Sequence, residues 1–185
     1  MKRLAIPSAF HEVLGETQEL SALAGLGLTV LFLGGAIGWA ALPSLSAVEG
    51  WRAALALLLI LDIIAGCAAN FTRGTNDFYA ARPVHRIGFI AVHVHLPVVL
   101  ALTGLPLVPG LLVWAWTIAG AFVINALDGR SSQVPVAGVL LVVGLGAAPL
   151  VGPWEPWALA VAQLFLVKVL YAFAVNHYPT HRSQG

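Results

Sequence analysis

Six apolar runs, each about as long as a bilayer is thick, constrain this chain more than any other feature. They cover approximately residues 20–42, 52–70, 86–105, 109–127, 134–152 and 157–176. At about 1.5 Å of rise per residue, roughly 20 apolar residues carry a helix across the hydrocarbon layer. Lipid offers backbone amides no partner, so such runs must satisfy their own hydrogen bonds as helices. The intervening segments carry turn chemistry. Pro43 and Ser44 are expected to end the first run, "NFTRGTNDFYAARP" forms the longest polar loop, and "LPLVPG", "LDGRSSQVP" and "GPWEP" separate the later runs. Of 185 residues, 59% are hydrophobic and 9% charged, against about 25% charged in a soluble domain. The expected fold is all-α: a polytopic integral membrane protein of the cell membrane, one six-transmembrane-helix bundle over 1–185, with no internal repeat.

Lysines and arginines orient the bundle. Lys2, Arg3, Arg73, Arg82, Arg86, Arg130 and Arg182 fall on one side of a six-span topology, leaving Arg52 on the other. Positive loops stay inside, so both termini are expected in the cytoplasm. Trp39, Trp51, Trp114, Trp116, Trp154 and Trp157 fall towards the opposite helix ends, as an aromatic belt at the outer interface would. A polar stretch with Glu12, Glu16 and Glu19 separates Met1-Lys2-Arg3 from the first apolar run. That is too long for the start of a signal peptide, so the first run is expected to remain as a helix. The lone Cys67 excludes an internal disulfide and a CxxC pair.

On this topology four ionisable groups reach a common depth. His93 and His95 lie about 10–14 Å from the cytoplasmic end of the third helix, and Asp62 and Lys168 about 12 Å from the ends of the second and sixth. Charge at such depth is costly unless it pairs or meets water, so Asp62 and Lys168 are candidates for an ion pair. The structural alternative is that the pair only ties two helices together. His93 and His95 are separated by about 200° around a regular helix, so they are expected to face different directions. Arg86 shares a face with His93 and would extend a path from the cytoplasm. Pro97 lacks the N–H that would bond the His93 carbonyl, which invites a kink.

A second candidate region lies in the polar loop. Asn70, Arg73, Asn76, Asp77, Tyr79, Arg82 and Arg86 offer charge and planar hydrogen bonding suited to an anionic ligand, or to anionic lipid headgroups. Glu12, Glu16 and Glu19 are spaced to share one face of a helix starting near Ser8. Glu12 and Glu16, like His93 and His95, are candidate metal ligands.

These features suggest three functions. The first is binding or transport of a small polar or anionic solute, or an ion, through a polar cavity open to the cytoplasm and lined by Asp62, His93, His95 and Lys168. The second is a membrane-embedded enzyme, with or without a metal, acting on a lipid or isoprenoid headgroup. The third is an accessory subunit of a homo- or hetero-oligomeric membrane complex. Membrane lipids are expected partners; no basic patch points to nucleic acid. HExxH, GxSxG, P-loop and GxGxxG motifs are absent, and the sequence assigns no cofactor.

Overall fold

The local signals of the sequence set where the helices begin. Thr72 caps a helix by accepting the Thr75 amide. Pro83 and Pro156 each stand in the first turn of theirs, where the missing N–H costs nothing. The computed structural model describes residues Arg3–Pro179. Their helices are α1 (His11–Leu14), α2 (Leu20–Ser46), α3 (Gly50–Ala69), α4 (Arg73–Ala80), α5 (Pro83–Val92), α6 (His95–Thr103), α7 (Leu107–Ala126), α8 (Gln133–Leu150) and α9 (Pro156–Phe173). Taking α5 and α6 as one span, six are long and apolar enough to cross a membrane.

The last helix is the axis of the bundle. It packs against α2, α3, α6, α7 and α8. The buried share of its apolar window is 61%, against 11% for α2 at the periphery. The outside of the bundle is apolar, with Phe32, Trp39, Leu58, Val92 and Val142 exposed. That surface suits lipid rather than water.

Several boundaries depart from expectation. Helix α2 runs through Pro43 to Ser46, because a proline in a last turn removes a single bond, the one to the Trp39 carbonyl. Part of the "loop" after α3 is the helix α4. Glu12, Glu16 and Glu19 do not share a helix face. Gly15, at φ +71°, stops α1, and Thr17–Glu19 (β2) pairs antiparallel with Arg3–Ala5 (β1).

This N-terminal segment caps one end of the bundle by docking on α4. The Gln18 amide donates to the Thr72 hydroxyl, and Thr75 Oγ1 donates to the Val13 carbonyl at 3.0 Å. Arg82 meets Glu16 at 2.6 Å. Two glycines let the backbones cross: a Cβ on Gly15 would lie 2.1 Å from the Gly74 carbonyl oxygen, and one on Gly74 would lie 2.2 Å from that of Thr17.

The tryptophans differ in burial, and Trp116 is exposed while donating its indole N–H to the Leu140 carbonyl at 3.1 Å. Trp39 and Trp51 are exposed at the periphery. Trp157 is buried, and Trp114 and Trp154 donate their indole N–H to backbone carbonyls inside the fold. The six thus differ in whether they face outwards or into the bundle.

Candidate functional site

Lys168 is carried on α9 where the helix widens to π geometry over Val167–Phe173, a distortion frequent at functional sites. Its side chain is only 2% exposed. The stem crosses α3 at Gly66, where a Cβ would stand 2.3 Å from Lys168 Cε. No larger residue leaves that passage open. The ammonium donates to Asp62 Oδ2 at 2.5 Å and to the Asp62 carbonyl at 3.2 Å. The ion pair suggested by equal depth is therefore formed. Behind it, the Asn70 amide donates to the Lys168 carbonyl at 3.4 Å.

Both histidines reach the same pair. His95 Nε2 lies 3.4 Å from Asp62 Oδ2, and the His93 and His95 rings are 4.8 Å apart. This corrects the expected divergence of about 200°, which assumed a continuous helix. The helix is broken at His93 (φ −75°, ψ 74°) and Val94 (φ −100°, ψ 12°). Pro97 gives the His93 carbonyl no amide partner, and the Trp114 indole N–H from α7 takes it at 2.9 Å. The break swings both rings to one side.

Hydrogen bonding prepares one lone pair. His93 Nδ1–H donates to the Phe89 carbonyl at 2.6 Å, which leaves Nε2 of the neutral ring as an acceptor. That atom is buried and has no hydrogen-bond partner among the described residues, and the same is true of His95 Nδ1. Buried polar atoms are seldom left unpaired. One donor atom each from Asp62, His93 and His95 lie within 4.8 Å of one another.

The cluster sits at the seam of α3 and α6 and opens sideways. Asp62 keeps 41% of its side chain exposed. It shares a helix face with exposed Trp51, Leu55 and Leu58, and exposed Val92 and Val94 bracket the break. Arg86 does not continue towards His93. Its guanidinium donates to the Phe173 and Ala174 carbonyls at 3.1 and 2.8 Å and approaches Asp128 at 3.9 Å. The stacked rings of Phe89 and Phe173 lie between it and His93.

The remaining polar residues hold the capped end together. Asn76 donates to Asn176 Oδ1 and accepts the His177 amide. Tyr79 donates to the Glu12 carbonyl at 2.9 Å, and burial pushes its phenol above the usual range. Arg73 and Asp77 make an exposed pair at 3.8 Å. Arg82 lies over the Phe78 ring and pairs with Glu16. Glu12 and Glu16 thus belong to the cap and do not join the two histidines. Gly66 reads in the sequence as a site of close helix packing, but not as the passage for Lys168; sequence reasoning missed the site roles of Trp114 and of Gln133, whose side-chain amide donates to the Ile124 and Ala174 carbonyls. Gly66, four residues after Asp62, carried the only readable signal. Comparison of the chain with family models, with curated proteins and with solved structures finds no match in any of the three.

Proposed function

We propose that this chain is a six-span protein of the cell membrane, with both termini in the cytoplasm, that binds and passes an ion or small polar solute at the Asp62–Lys168–His95–His93 cluster. The observation that carries the reading is a carboxylate, 41% exposed, on an otherwise apolar outer flank. Charge facing lipid is expensive, and a pair serving only to join helices would gain by facing inwards. Access runs along the α3–α6 seam, not through an arginine-lined path from the cytoplasm. The test is flux of ions and small solutes into proteoliposomes. Asp62→Asn is expected to abolish it while the protein stays helical and monodisperse; undiminished flux in that variant would sink the reading.

The sideways opening also suits a second reading, in which a lipid-dissolved substrate presents its headgroup to His93 and His95. A deletion strain with an unchanged lipid profile would speak against it.

A further inference from the structure

The identity of the ion follows from the donor set. Resting on the ion-binding reading above, we propose that His93, His95 and Asp62 form a site for a first-row divalent transition metal, with the Lys168 ammonium as the competing cation.

Four observations support this site. Two imidazoles and one carboxylate are the ligand types that select zinc, cobalt or iron over magnesium and calcium. His95 Nε2 and Asp62 Oδ2 are separated by 3.4 Å, close to the edge of a tetrahedron with metal–ligand bonds of about 2.0–2.1 Å. His93 is 3% exposed, and its Nε2 is buried without a partner. Its Nδ1–H is already donated to the Phe89 carbonyl, the outer hydrogen bond that orients a ligating histidine and fixes its tautomer. The widest donor separation, 4.8 Å at most, exceeds the tetrahedral edge by an amount that a side-chain rotation closes. Lys168 donates to the same carboxylate oxygen that His95 approaches, so the ammonium competes with a metal for that oxygen. This makes metal affinity dependent on residue 168.

The experiment is titration of the purified full-length protein, carrying no histidine tag, with cobalt(II). Visible absorption reports tetrahedral nitrogen coordination, and zinc is the competitor. One equivalent is expected to bind. His93→Ala and His95→Ala should each weaken binding at least about tenfold, and Lys168→Met should tighten it about tenfold or more. His177→Ala, at the capped end, should change nothing. X-ray absorption of the zinc-loaded wild type, expected to show two imidazoles per metal, keeps the test decisive where a variant does not fold. No binding, binding insensitive to His93, or a metal without imidazole ligands would overturn the proposal. Asp62-dependent flux without metal binding would overturn the metal site and leave the ion reading standing. Metal bound without any flux would do the reverse.

Discussion

At the scale of the residue, the cluster depends on an absent side chain. Gly66 leaves the channel through which Lys168 reaches Asp62. Gly66→Ala should crowd the lysine stem and cost about 1–3 kcal/mol, as overpacking does. Thermal unfolding in detergent checks this. The cost should shrink in Lys168→Ala, because neighbouring substitutions couple. A pH dependence belongs to His177, outside the spans. Burial holds its ring below the ordinary histidine range, opposed by hydrogen bonds to the Tyr171 and Ala172 carbonyls, with Arg86 adding to the lowering. Unfolded, it takes up a proton near pH 6.5, while the docked ring takes one up less readily. The unfolded state binds more protons, so stability is complete above about pH 6.5 and falls as pH drops below it. The protection factors of the amides around Asn176–Tyr178, taken relative to the intrinsic exchange rate at each pH, should therefore fall between pH 7.5 and pH 5, and His177→Gln should flatten the profile.

At the scale of the element, the third span acts as two helices joined by an irregular hinge. Pro97 withdraws an amide from the His93 carbonyl, and Trp114 replaces it. Trp114→Phe should cost about 1–3 kcal/mol, the penalty for an unpaired buried carbonyl. Adding Pro97→Ala restores an N–H four residues along and should recover part of the loss. A melting series on the two single variants and the double variant measures that coupling. The proline and its freed carbonyl were legible in the sequence. The direction in which the chain turned there was not, because the tryptophan that decides it lies 21 residues away.

At the scale of the whole molecule, the end of α9 is gripped by side chains from several other elements. Arg86 and Gln133 donate to its last carbonyls, which a helix cannot satisfy by itself. A group read as drawing in an anionic ligand thus has a structural task. Over the same end lies the cap of residues 3–19, held by the crossing of Gly15 and Gly74. Gly74→Val should release the cap but leave the bundle. Limited proteolysis is then expected to cut before Leu20, with the helical circular dichroism almost unchanged; a cap still protected would contradict this crossing as the lock.

The sequence by itself determined six apolar helices, their approximate limits and the shared depth of Asp62, Lys168 and the two histidines. Length, apolarity and rise per residue are properties of consecutive residues, so they can be read along the chain. Tertiary structure alone decided that both histidines meet one carboxylate, that the carboxylate faces the outer flank, and that the glutamates belong to a cap. Each of those depends on azimuth around a helix. A broken span resets azimuth, and partners distant in sequence set where it comes to rest.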